Sequence, residues 1–94
     1  MPQGHVYILA SKRNGTLYVG VTNDLIARIF QHKQGTGSVF TRRHKVNMLV
    51  WYETCDMVTD AIQRETSLKR WPRRWKLALI EKTNPGWKDL SLDF

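Results

Sequence analysis

Five side chains in this 94-residue sequence have the types and spacing for work on a charged ligand: Tyr7, Tyr18, Arg28, His32 and Glu65. Arg28 and His32 stand four apart in a stretch with helical spacing, so they are neighbours on one flank and can act on one ligand. Glu65 falls on an apolar helical stripe marked by Val58, Ala61, Ile62 and Leu68. An ionised carboxylate leaves water only with a partner, so Glu65 there needs a cation, either a nearby Lys or Arg or a metal ion. Tyr7 and Tyr18 lie in strand-like runs, where a phenol offers both packing surface and a polar tip. A phenol titrates near 10 when unperturbed, so either tyrosine could act as a base near neutral pH only with a cation beside it.

The elements that must position these groups follow from the pattern of apolar residues. Residues 5–10 and 16–21 are strand formers separated by Asn14-Gly15, a pair that favours a tight hairpin turn. With Asn14 and Gly15 as the two turn residues, Tyr7 would face Thr22, Leu9 would face Gly20, and Ser11 would face Tyr18. One sheet face then carries Val6, Ile8, Ala10, Leu17, Val19 and Val21, and the other carries Tyr7, Leu9, Tyr18 and Gly20. The first is a core face, and the second predicts an open surface at Gly20 where a ligand can approach the backbone.

Thr22-Asn23-Asp24 predicts a helix start, with Leu25, Ile26, Ile29 and Phe30 as the buried stripe up to Gly35. The segment from Gly35 to Lys45 has no clear period and reads as a mobile basic loop. A third strand is predicted within residues 46–54. A helix follows, capped by Asp56 or Thr59, and Pro72 breaks it. Residues 73–83 restart a helix with Trp75, Leu79 and Ile80 as core contacts, and a tail after Asn84-Pro85-Gly86 is anchored by Trp87. This predicts an α/β (α+β) fold, one domain over residues 1–94, with a three-stranded, mainly antiparallel sheet flanked by helices.

Fifteen Lys and Arg against eight Asp and Glu give a formal charge of +7, which points to a polyanionic partner, nucleic acid first. The basic residues cluster in two segments, so the candidates for phosphate contact are Lys33, Arg42, Arg43, Lys45, Lys69, Arg70, Arg73 and Arg74. A lone Cys55 cannot form an intramolecular disulfide and fits a reducing, cytoplasmic setting. No membrane span or leader peptide is predicted.

Together the residues resemble the GIY-YIG nuclease superfamily. His5-Val6-Tyr7 stands where that family has Gly-Ile-Tyr, and Tyr18-Val19-Gly20 matches its Tyr-Ile-Gly. Arg28 lies ten residues after Tyr18, with His32 one turn on and Glu65 on a later helix. The likeness runs over essentially the whole chain and is greatest to the small stand-alone bacterial members. It departs at His5, which replaces the first glycine, and in the spacing of Asn84 from Glu65.

The resemblance implies hydrolysis of DNA phosphodiesters with one Mg²⁺ or Mn²⁺ ion. In that scheme Glu65 binds the metal, Tyr7 and Tyr18 orient the attacking water with one of them accepting its proton, Arg28 stabilises the phosphate and His32 assists as a hydrogen-bond or proton partner. One carboxylate with water in the remaining positions is a common way of holding Mg²⁺. Specificity would come from the shape of the nucleic acid or from a protein partner. Two other readings share the charge pattern: a nucleic-acid-binding module with a vestigial site, and an adaptor whose basic face meets an acidic protein.

Overall fold

The alternating strands and amphipathic helices assemble into three layers in a computed structural model that describes residues 2–94. Strands β1 (Gly4–Ala10), β2 (Leu17–Thr22) and β3 (Met48–Cys55) form one antiparallel sheet in the order β2-β1-β3. Helices α1 (Leu25–Lys33) and α2 (Val39–His44) lie between β2 and β3 in the chain, and α3 (Val58–Arg70) and α4 (Arg73–Thr83) follow β3. A single turn of 3₁₀ helix, Leu90–Asp93, closes the tail.

The aliphatic face of the hairpin packs on α3 and α4: Val6, Ile8, Ala10 and Val19 join Ala61, Leu68 and Ile80 in one core. On the other face Tyr7 and Leu9 are fully buried against Leu25 and Ile29 of α1 and against Val46 and Leu49. The tyrosine face is therefore not the open surface that the sequence predicts. A Cβ built on Gly20 would lie 2.4 Å from the Tyr7 ring and hydroxyl, so the glycine leaves the space into which Tyr7 leans across the neighbouring strand. The gap is filled from within the protein.

The hairpin register also differs from the expected one. Tyr7 pairs with Gly20 and Leu9 with Tyr18, and the loop holds four residues, closed by Ser11 N–H donating to Thr16 O at 3.0 Å. Asn14 alone takes a left-handed conformation, with φ of 57°, whereas the predicted turn requires positive φ at Gly15 as well. The slip is two residues, and since side chains alternate with a period of two, every residue keeps its face. On the other edge a β-bulge between the Ile8 and Leu9 pairings turns both Val50 and Trp51 into the α3–α4 core.

Helix α1 rotates relative to its predicted stripe. Leu25, Ile29 and His32 are its buried residues, while Ile26 and Phe30 are exposed. Asp24 is the N-cap, accepting from Ala27 N–H at 3.2 Å. The segment expected to be a loop contains α2, whose N-cap Ser38 accepts from Thr41 N–H and whose chain exits through Lys45 at φ of 55°. Its six residues, fewer than two turns, are too few to show a period, which is why the apolar pattern missed it.

Neither Asp56 nor Thr59 caps α3, since its N-cap is Met57 and no side chain bonds there. Ile62 and Trp75 are exposed where core contacts were expected. Trp75 instead stands edge-on to Trp71 with ring centroids 5.9 Å apart. Trp87 does anchor the tail: it is buried, and its indole N–H donates to Glu81 at 3.0 Å. Asn84, also buried, donates through Nδ2 to the carbonyls of Val50 and Lys88 and accepts from Lys88 N–H. Its side chain thus ties the tail to the bulge.

Candidate active site

Strand alternation puts Tyr7 and Tyr18 on the same face of β1 and β2, with ring centroids 6.4 Å apart. Helix α1 crosses this face and lowers two side chains onto it from successive turns. Arg28 Nε donates to the Tyr7 hydroxyl at 3.4 Å, and His32 Nε2 lies 2.9 Å from the same oxygen. Nδ1 of His32 meets Thr41 Oγ1 at 3.0 Å. Tyr7, Tyr18, Arg28 and His32 are therefore brought together, with the Tyr7 oxygen at the centre.

Burial dominates the proton chemistry of this group. It pushes the Tyr7 hydroxyl above the ordinary phenol range; the bond from Arg28 opposes this, and the negative charges of Tyr18 (when ionised) and Glu65 add to it. At His32 burial again comes first, and with the Arg28 charge it lowers the ring from 6.5 to about 4. Arg28 is held more firmly protonated, chiefly through its bond to Tyr7. Near neutral pH the resting site thus pairs a neutral phenol with a neutral imidazole beside a fixed cation.

This arrangement has a consequence for stability. His32 has a lower affinity for protons in the folded protein than in the unfolded chain, so stability is complete above about pH 6.5 and is lost as pH falls toward 4. Urea titrations from pH 7 to pH 4 should show a decline of up to about 3 kcal/mol that His32→Gln, which cannot titrate, lacks. Equal slopes for the two proteins would contradict the burial of a neutral His32.

Glu65 approaches from α3, which packs on β1 and β2 from the other side of the sheet. Its carboxylate is felt at the Tyr7 hydroxyl, yet its ion-pair partner is Lys69, one turn on, at 3.2 Å. Arg28 is not that partner: besides Tyr7 it donates to Gln31. The Glu65 side chain is 16% exposed and that of Lys69 is 52% exposed, so the ammonium can swing into solvent and release the carboxylate. No cluster of three or more His, Cys, Asp or Glu occurs among the described residues. A single hard carboxylate can hold a divalent cation that keeps most of its water.

The basic candidates divide into two groups. Lys69 lines a groove of about 350 Å³ together with Lys76, Tyr18, Phe40, Leu17 and Val19. Arg42 and Arg43 lie on α2 and are exposed, as are Lys45, Arg70 and Arg74. Two others hold the fold together. Lys33 bonds Asp89 at 2.6 Å and the Asn47 carbonyl at 3.0 Å, and Arg73 donates to the hairpin carbonyls of Asn14 and Gly15. A second concavity, of about 400 Å³, opens beside Arg28 at the β2–α1 junction.

Phe40, Thr41, Gly37 and Lys76 border this site without having been singled out from the sequence. Phe40 stacks against Tyr18 with centroids 6.1 Å apart and lies tilted against His44 at 4.5 Å. The usable signal was Ser38 ahead of Val39-Phe40-Thr41, a helix N-cap followed by residues able to pack. Among the described residues no helix is long and apolar enough to cross a membrane.

Comparison with known proteins places the same residues in context. Residues 3–78 match the model of the GIY-YIG catalytic domain, a span that includes all five predicted site residues. A UPF0213 protein of Staphylococcus saprophyticus is 34% identical over 82 residues, covering 87% of this chain and 99% of the relative. One from Xanthomonas axonopodis pv. citri is 42% identical over 78 residues, covering 82% and 74%. The solution NMR structure of a UPF0213 protein from Bacillus halodurans superposes with a TM-score of 0.58 at 29% identity, covering 93% of this chain and 92% of that one.

Proposed function

Since the chain belongs to the GIY-YIG family, whose members are generally nucleases, we propose that it is a metal-dependent endonuclease that hydrolyses phosphodiester bonds in DNA. The observation that carries this reading is the Tyr7 hydroxyl, bonded to both Arg28 and His32 beside Tyr18 and within the field of Glu65. Packing alone does not require a cation, an imidazole and a second phenol around one buried hydroxyl. Glu65 is the residue that would hold the ion. Bound there, Mg²⁺ or Mn²⁺ would polarise the phosphate and oppose its developing charge.

The protein's own groups divide the remaining work. Arg28 pairs with the scissile phosphate and stays protonated throughout, so its charge opposes the growing negative charge of the transition state. A water admitted beside the Tyr7 oxygen, which is enclosed in the resting protein, is oriented by the Tyr7 and Tyr18 hydroxyls for attack on phosphorus. As the water oxygen bonds to phosphorus, its proton passes to the Tyr7 oxygen and the Tyr7 proton passes to His32 Nε2. The phosphorus–oxygen bond opposite then breaks, and the departing oxygen takes a proton from solvent. A phosphate on Arg28 also cancels the positive field that adds to burial in lowering His32, which makes the imidazole a better acceptor when substrate is present.

The lysine groove and the exposed arginines of α2 supply phosphate contacts that carry no sequence information, so selectivity rests on nucleic-acid shape or on a protein partner. The test is cleavage of duplex, nicked, branched and single-stranded DNA with Mg²⁺, with Mn²⁺ and with chelator. Metal-dependent scission of at least one substrate is expected. The Lys69–Glu65 ion pair favours a second reading, binding without cutting. Tight binding with no scission of any substrate in either metal would establish it in place of the first.

A further inference from the structure

We propose that α2 clamps His32 in a single tautomer, with Thr41 as the positioning residue and Ser38 and Gly37 as its supports, so that Nε2 always presents its lone pair to the Tyr7 hydroxyl. The value of this clamp for proton transfer rests on the nuclease reading; the clamp itself is a matter of hydrogen-bond directions.

Those directions follow from counting protons. Thr41 Oγ1 carries one proton and has three partners in reach, Ser38 Oγ at 2.8 Å, His32 Nδ1 at 3.0 Å and the Ser38 carbonyl at 3.2 Å, of which only the carbonyl can do nothing but accept. The clamp places the proton on that carbonyl, so that Thr41 Oγ1 accepts from His32 Nδ1 and Nδ1 carries the hydrogen. Ser38 Oγ, 2.8 Å from Thr41 Oγ1, accepts from Thr41 N–H and turns its own proton toward the threonine oxygen, which closes the network. A neutral imidazole has one N–H, so Nε2 is bare and the Tyr7 hydroxyl donates to it at 2.9 Å. In the opposite tautomer Nε2 and Arg28 would both donate to the Tyr7 oxygen. The phenol proton would then point elsewhere and the relay would be broken.

Burial makes the clamp effective. His32 is 2% exposed and Thr41 3% exposed, so water does not compete for either ring nitrogen. Gly37 lets the chain close over the ring, since a Cβ there would stand 2.3 Å from His32 Nδ1. Tyr18 from β2 completes the enclosure, its ring 5.5 Å from the imidazole. No metal ligand takes part, and the fixed charge that bears on the ring is Arg28 on the same helix.

Long-range ¹H–¹⁵N correlation on protein labelled with ¹⁵N-histidine tests the clamp at pH 7, with His32 assigned by the signal lost in His32→Gln. In the wild type, Nδ1 should resonate as a protonated nitrogen and Nε2 as a bare one, while the exposed His44 averages between tautomers. Thr41→Val keeps the shape and removes the hydroxyl, so the His32 nitrogens should move toward averaged positions. Thr41→Ser should restore the wild-type pattern, and Gly37→Ala should disturb it by displacing the ring. Cleavage should fall about tenfold or more in Thr41→Val and recover in Thr41→Ser. A protonated Nε2 in the wild type overturns the proposal, as does an unchanged pattern in Thr41→Val. Should Thr41→Val not fold, the wild-type and Gly37→Ala spectra decide the matter. A wild type that cuts nothing would count against the nuclease reading, while its His32 spectrum would still judge the clamp.

Discussion

Replacing Glu65 by Gln should lower metal-dependent cleavage by about three orders of magnitude while leaving the protein folded and able to bind DNA. The substitution keeps volume and removes a carboxylate whose charge adds, as the smallest of several influences, to the shift of the Tyr7 hydroxyl. Its structural cost is small, because the partner left behind is a half-exposed lysine that water can solvate. For such a pair a loss of at most about 1 kcal/mol is expected, against about 3 kcal/mol or more for a cation stranded in the interior. Binding without metal should hold or tighten slightly, since one negative charge near the phosphate is gone. Rate, urea midpoint and chelator-treated affinity, measured on the same preparation, separate the roles. A variant that cuts normally, or that loses activity only in proportion to lost fold, would remove Glu65 from the proposed chemistry.

Arg28→Ala should produce a comparable loss of cleavage, of a hundredfold or more, because the phosphate loses its fixed counter-charge and the Tyr7 oxygen loses a donor. The same variant gives a readout that does not depend on activity. Arg28 contributes, after burial, to holding His32 at about 4, so its removal should let the imidazole titrate at higher pH, moving toward 6.5 without reaching it. The Tyr7 hydroxyl should move up as well, since the Arg28 bond is what opposes its burial. NMR titration of His32 in wild type and variant measures the first of these shifts directly. An unmoved His32 would mean that the guanidinium does not face the ring in solution. Arg28→Lys should rescue only part of the rate, for an ammonium lacks the planar fork that can hold Tyr7 and a phosphate together.

Much of this site is legible in one dimension because the backbone has fixed periods. The strand period of two puts Tyr7, Tyr18 and Gly20 on one face, and this holds although the hairpin pairs two residues away from the expected register. The helical period puts Arg28 and His32 on neighbouring turns, which survives the rotation that exposes Ile26 and Phe30. Likewise the composition around Trp87 marks an anchor wherever the tail lands, since a large indole is driven out of water.

Other properties depend on which surfaces meet, and no local period encodes that. Gly20 reads as a gap in a strand until Tyr7 fills it. Whether Glu65 pairs with Arg28 or with Lys69 is decided by α3 and α1 lying on opposite sides of the sheet, which leaves the neighbour on its own helix as its partner. His32 becomes a buried, neutral acceptor only because α2, at six residues too short to announce itself, folds over it and supplies Thr41. Residue types and their spacing therefore determined the set of chemical groups and the face each occupies, since these follow from backbone geometry within an element. Protonation, tautomer and ion-pair partner were decided by tertiary packing, because desolvation and hydrogen-bond direction exist only once distant segments close around a group.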